Sequence, residues 1–173
     1  NGNNGDRIVA RLSDGTFFYT NVYGEDSWHQ VPSLVMAGDV DAVNYNYKGN
    51  DVLLLSSSFD GLYLVKDDTA LVCSNAPKFT SIAVHNERVF GTVNGVNNQV
   101  WFSDDFDPAN WNVSLTEAGY INFCDDLGQA LKVVSFAGYL FVFREYGIMR
   151  LNAYGDQSDF VLKKMFTDTG RIY

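Results

Sequence analysis

Cysteine is almost missing from this sequence: Cys73 and Cys124 are the only two in 173 residues. Two are too few for a disulfide scaffold, and neither has a neighbour at metal-ligand spacing, so both are expected to be small buried hydrophobes in strand-like runs. Histidine is equally scarce. His29 and His85 stand apart, with no serine, cysteine or carboxylate spaced around either as a triad or a metal set requires. The expectation is two ordinary surface or loop histidines, His85 at a strand end in a structural role, with no catalytic residue, no metal site, no cofactor and no enzymatic activity. Long apolar runs are also absent. Nothing approaches the roughly 20 residues of a membrane-crossing helix, and Asn1-Gly2-Asn3-Asn4-Gly5-Asp6 has no signal-peptide character. That opening also lacks a methionine, and strand-like sequence follows at once, so the N-terminus reads as a cut end of a longer protein.

Basic residues are few, 12 against 21 acidic ones for a net charge of −9, and they do not cluster, which argues against a phosphate backbone or an anionic membrane as partner. Only 3 prolines interrupt the chain, and 15% aromatic with 19% charged residues fits an ordered β-protein rather than a disordered one.

What is present is strand sequence. Residues 131–151 hold three short runs of β-branched and aromatic residues, split at Ala137-Gly138 and at Glu145-Tyr146-Gly147, where glycine can take positive φ and reverse the chain. That is a three-stranded meander, and it recurs. Residues 51–65 run into a turn closing on Asp60-Gly61, residues 7–19 turn at Ser13-Asp14-Gly15, and residues 88–103 turn through Asn94-Gly95-Val96-Asn97-Asn98. The strands that follow these turns begin near Thr16, Leu62, Val100 and Ile148. Intervals of about 40 to 50 residues match a four-stranded propeller blade better than a solenoid coil.

The expected fold is therefore all-β, a propeller-like array of four-stranded antiparallel blades at residues 7–36, 40–76, 79–128 and 130–168, with almost no helix. In the first, Trp28-His29-Gln30-Val31 reads as an outer strand that Pro32 ends. In the second, Tyr45 and Tyr47 share one face of a strand that turns at Lys48-Gly49-Asn50. The stretch from Asp104 to Trp111 reads as a loop, residues 119–128 as a bridge to the last meander, and residues 160–166 as its final strand. About three and a half blades make an open arc, short of the four to eight of a closed propeller. Open blade edges invite pairing with another chain, and the expectation is that they are covered by missing parts of the parent protein, by other chains, or by a second copy that would complete a seven-bladed ring.

The remaining motifs carry little chemistry. Acidic pairs such as Asp67-Asp68, Asp104-Asp105 and Asp125-Asp126 are unremarkable among 21 carboxylates. Asp104, Asp105, Asp107 and Asn110 lack the spacing and distant glutamate of a calcium loop and read as a solvated turn. Ser13-Asp14-Gly15-Thr16-Phe17 lacks the intervening residues of an Asp-box and reads as a type I′-like hairpin turn. Trp28, Trp101 and Trp111 are of the type that stacks on sugars, but aromatics at alternate strand positions more often pack between sheets. Asn112-Val113-Ser114 matches a glycosylation triplet that an asparagine-rich chain produces by chance.

One set of stretches occurs in a distinctive order: Ile82 to Gly91, Val100-Trp101-Phe102-Ser103, Phe106 to Trp111, Gly119-Tyr120-Ile121 and Gly138 to Ile148. In that order and spacing, residues 79–151 resemble a family of propeller-like virion proteins from tailed bacteriophages and prophages of low-GC gram-positive bacteria. They are also similar to the tail-accessory or stabilisation proteins of short-tailed phages. The resemblance implies a structural role in the tail or head-tail region of a virion assembled in the bacterial cytoplasm, with other virion proteins as partners and no catalytic residues. The alternative is a secreted carbohydrate-binding or glycan-cleaving propeller. That reading requires a wet cleft on the propeller axis with at least two carboxylates and an exposed tryptophan.

Overall fold

The computed structural model describes residues 6–23 and 27–166. It is all-β, and among the described residues the only helical element is a single 3-10 turn at Gln157–Asp159. Four antiparallel sheets follow one another along the chain without closing. Sheet 1 has three strands, β1 (Arg7–Arg11), β2 (Thr16–Asn21) and β3 (His29–Val35). Sheet 2 has β4 (Asp41–Tyr47), β5 (Asn50–Ser57), β6 (Gly61–Lys66) and β7 (Thr69–Val72). Sheet 3 has β8 (Phe79–His85), β9 (Arg88–Val93), β10 (Val96–Phe102) and β11 (Gly119–Asn122). Sheet 4 has β12 (Ala130–Phe136), β13 (Tyr139–Arg144), β14 (Gly147–Asn152) and β15 (Val161–Phe166). Each sheet is a meander in chain order.

Sheets 2, 3 and 4 open with the same device. Their first two strands join through Lys48-Gly49, Asn86-Glu87 and Ala137-Gly138, and both residues of each pair have positive φ. These are type I′ turns, whose twist suits the right-handed twist of the strands. Sheets pack face to face through residues at alternate strand positions. Because the middle sheets are covered on both faces, β5 reads as the unbroken run Val52-Leu53-Leu54-Leu55. Val52 and Leu54 join the core toward sheet 3, while Leu55, with Leu53 against it, joins the core toward sheet 1. A third core, around Phe90, Phe102, Leu140 and Val142, lies between sheets 3 and 4.

The first strands β4, β8 and β12 lie next to one another and are tied by hydrogen bonds between sheets. The Ile82 amide donates to Asp41 Oδ2 at 2.9 Å, the Val133 amide donates to Ser81 Oγ at 3.4 Å, and Tyr45 donates to the Glu87 carbonyl at 2.5 Å. Burial, then the carboxylates of Asp105 and Asp107, pushes the Tyr45 phenol up to about 12, so it remains a donor.

Several local expectations are corrected. Pro32 does not end its strand. It sits inside β3, where the register slips between Thr16↔Val35 and Phe18↔Gln30, Ser33 takes φ 61°, and the bulge sends Val31 and Leu34 into the core. An edge-strand bulge tolerates the missing amide donor. The asparagine-rich turn is shorter than expected: only Asn94-Gly95 reverses the chain, and β10 starts at Val96 with a register shift before Val100. Gly119–Asn122 is a strand of sheet 3 rather than part of a bridge. Ser13-Asp14-Gly15 is not type I′, since of these only Gly15 has positive φ (87°). Its amide donates to the Leu12 carbonyl at 3.0 Å, and Asp14 accepts bonds from both the amide and the hydroxyl of Thr16. Gly147 does not turn the chain either. A Cβ there would lie 2.6 Å from the Phe166 carbonyl oxygen, so glycine lets β15 approach β14.

The cysteines differ from one another. Cys73 is buried, and burial followed by the charge of Asp107 raises its thiol to about 11, whereas Cys124 is exposed. Phe123 takes the inward position beside it, and the neighbour on an extended chain points the other way. The opening residues 1–5 and residues 167–173, whose sequence reads as the lead into a further blade, lie outside the described residues.

Candidate interaction site between the first two sheets

A cavity of about 1020 Å³ lies between sheets 1 and 2. Its floor is apolar, made by Phe17, Val31, Leu53, Leu55 and Val65. One wall is β1, through Arg7, Val9 and Arg11; the other is the start of β4, through Val40, Ala42 and Asn44. Asp6, Asp39, Asp51 and Asp67 stand around it.

The two arginines are held against the walls. Arg7 reaches Asp67 at 3.3 Å and lies over the Tyr19 ring, 4.7 Å from its centre. Arg11 donates to the Met36 carbonyl from both Nε (3.2 Å) and Nη2 (2.7 Å), and to the Ala37 carbonyl at 3.2 Å. Three side chains at alternate positions of one strand thus face the groove and leave its centre open.

Among the described residues β1 is also an edge of its sheet. The register with β2 and two flanking bonds, Leu12 amide to Thr16 carbonyl at 2.9 Å and Val22 amide to Asp6 carbonyl at 2.7 Å, set the phase of the ladder. In an antiparallel ladder alternate residues exchange both bonds with the partner. Ile8 and Ala10 therefore pair with β2, while the backbone groups of Arg7, Val9 and Arg11 point to the open edge.

The residues weighed for chemistry are not brought together. Asp104 is occupied by its own loop, with Oδ1 accepting from the amides of Asp105 and Glu117 and Oδ2 accepting from Asn110 Nδ2. Asp107 Oδ1 accepts from the Ala109 amide. Among the described residues no group of three or more His, Cys, Asp or Glu side chains is placed to hold a metal. Trp111 is buried against Phe79 with ring centres 4.7 Å apart, Trp101 lies over Tyr120 at 4.9 Å, and Trp28 is exposed. None of the three lines the groove.

His85 is not a surface residue. It is 4% exposed at the end of β8, with Nδ1 2.9 Å from Ser135 Oγ of sheet 4 and Nε2 3.2 Å from Asn86 Nδ2. Since Asn86 Nδ2 is a donor, Nε2 accepts and Nδ1 carries the proton toward Ser135. Burial holds the imidazole below its ordinary range.

Two buried arginines had no sequence signal. Arg144 is fully buried, donates to the Gly128 carbonyl from Nε (3.0 Å) and from Nη2, and meets Asp125 at 3.1 Å. Asp125 also meets Lys164 at 3.2 Å. Burial works to raise the Asp125 carboxyl, but the Leu127 amide, Lys164 and Arg144 outweigh it and hold the group below its ordinary value. Arg88 donates to the carbonyls of Ser103 and Glu117, both at 3.1 Å.

Comparison with known proteins adds no identity. No family model matches the sequence, and no curated protein does.

Proposed function

We propose that this chain is a non-enzymatic structural component of a phage virion, in the tail or head-tail region, built as an open arc of propeller-like blades. The observation that carries the scaffold part of this reading is the stacking of four sheets in chain order, sheets 2 to 4 through adjacent first strands, with a partnerable surface at each end of the array. At the sheet 1 end it is the free edge of β1. At the other end it is the outer face of sheet 4. There Val134, Phe136, Phe141, Phe143 and Ile148 share the face opposite the buried Leu140 and Val142, flanked by Lys132, Arg150 and Lys163. Phe136 is 69% exposed. Apolar clusters rimmed by charge are characteristic of protein contact surfaces. The virion assignment rests on the resemblance of residues 79–151.

The partners under this reading are other virion proteins or a second copy of the chain. Light scattering across a dilution series tests it: the expected result is a dimer or larger assembly that dissociates on dilution, and a Phe141→Lys variant that stays monomeric while remaining folded. A monomer at all concentrations that also fails to bind virion proteins would overturn the scaffold reading. The glycan alternative has carboxylates around the groove but no tryptophan in it. Hydrolysis of a common glycan panel, abolished by Asp39→Asn or Asp51→Asn, would favour it instead.

A further inference from the structure

One aromatic pair lies at the rim of a core rather than inside it. β10 and β11 pair Trp101 with Tyr120 and Gln99 with Asn122, so these four side chains share one face of the strand pair, while Val100 and Ile121 turn the other way, into the core shared with sheet 4. Among the described residues β11 is the outermost strand of its sheet. Tyr120 is 44% exposed there, and Trp101, resting on the core between sheets 2 and 3, is half-buried. The ring centres are 4.9 Å apart and the planes only 30° from parallel. Trp111 shows the contrasting case of a tryptophan used for packing. It is buried against Phe79, and its Nε1 donates to the Pro108 carbonyl of its own loop.

The polar groups beside the exposed pair are put in order by the indole, because a tryptophan N–H can only donate. Trp101 Nε1 donates to Gln99 Oε1 at 2.9 Å, which makes the other end of that amide a donor, and Gln99 Nε2 donates to Asn122 Oδ1 at 2.7 Å. Both amides are thereby oriented, and Asn122 ends the row with its Nδ2 donor. Among the described residues neither that donor nor the Tyr120 hydroxyl has a protein partner.

All four side chains are uncharged. The shelf they make offers electron-rich ring surface, a preset amide donor and a hydroxyl that can donate or accept. A phosphate or a carboxylate would find no cation in the set. A sugar ring matches it: the C–H bonds on one face carry partial positive charge and settle on an aromatic ring, while equatorial hydroxyls project sideways to meet amide and hydroxyl groups.

We propose that Trp101, Tyr120 and Asn122 form a saccharide-binding shelf that takes a neutral, gluco-configured pyranose of an oligosaccharide. The sugar stacks on the Tyr120 ring, which Trp101 backs, and its oxygens accept from Asn122 Nδ2 and pair with the Tyr120 hydroxyl. The gluco configuration suits a flat shelf because its ring substituents are equatorial and both C–H faces are clear, whereas an axial hydroxyl spoils one of them. None of these residues lines the groove between sheets 1 and 2, and the set holds no carboxylate. The shelf therefore binds without cleaving, and it stands whether or not the scaffold reading does.

The test titrates the whole chain with cellotetraose and with chitotetraose, followed by NMR at the Trp101 indole and the Asn122 side-chain amide. The expected result is saturable shifts of both signals at millimolar sugar, with weaker binding of a mannotetraose. Tyr120→Leu, which keeps an apolar residue at an exposed strand position, should weaken binding about tenfold, the worth of one aromatic stacking contact. Asn122→Asp keeps the bond from Gln99 and removes only the donor, and should weaken binding about fivefold, the effect of one net hydrogen bond. Unchanged amide signals outside β10 and β11 verify that both variants fold. No shift with either sugar, shifts centred away from β10 and β11, or binding unchanged in both variants overturns the proposal. So does a response to an oligogalacturonate or to a proline-rich peptide with none to the neutral sugars, which would make the shelf a site for an acid or for a peptide.

Discussion

His85 shows how one side chain ties two sheets and makes that tie depend on pH. Its folded pKa lies below the ordinary 6.5 because burial disfavours the charged ring. The unfolded chain therefore takes up the proton first. Stability from this group is complete above pH 6.5 and is lost as pH falls through the lower folded value. Urea midpoints are expected to drop between about pH 7.5 and pH 5.5, a window in which histidine is the main titrating side chain. In His85→Gln, destabilised by about 1–3 kcal/mol through the lost pairing with Ser135, that slope should flatten. An equal slope in both proteins would assign the pH response elsewhere. Ala137 presents the opposite opportunity. It holds φ 49° in a type I′ turn, a conformation that penalises a Cβ. Ala137→Gly should stabilise the protein by about 1 kcal/mol, seen as a rise of about 2–4 °C in Tm. The cysteines give a simple check of burial: a thiol reagent should modify Cys124 in the folded protein and reach Cys73 only on unfolding.

At the level of elements, the loop after β11 is fastened to sheet 4 by Asp125, which meets both Arg144 of β13 and Lys164 of β15. Removing a carboxylate from a buried arginine leaves an uncompensated charge, so Asp125→Ala should cost about 3 kcal/mol in chemical denaturation, while Arg144→Met with Asp125→Ala should recover part of it. A double variant no more stable than Asp125→Ala alone would show that Arg144 acts mainly through the Gly128 carbonyl and the Phe123 ring. The hairpins were readable from sequence because the residues at most reversals are local necessities. Lys48-Gly49 and Ala137-Gly138 mark their turns without reference to the rest of the molecule. Pro32 and Gly147 misled for the converse reason. What places them is a partner strand: a bulge opposite Phe17 for one, the close approach of β15 for the other. The groove was not readable at all, since Arg7 and Asn44 meet across it only once sheets 1 and 2 are packed.

At the scale of the whole molecule, the sheets form a chain of nearest neighbours, and the cores between them are unequal. The core between sheets 3 and 4 gathers Phe90, Phe102, Phe123 and many aliphatic side chains, while that between sheets 1 and 2 rests on Phe17, Val31, Leu34, Met36, Leu55 and Val65. In such arrays stability is close to a sum of units and interfaces. Hydrogen exchange should therefore be fastest in β1 to β3 and slowest in β9, β13 and β14; uniform protection would mean a single cooperative unit. The thinner core lies at the sheet 1 end. The array thus has a thermodynamic polarity, a tight end that holds its shape and a loose end that melts first. A contact made against sheet 1 would do more than adhere: it would lift the weakest unit toward the others, turning a graded melt into a concerted one and letting occupancy at one end be felt as rigidity along the whole array.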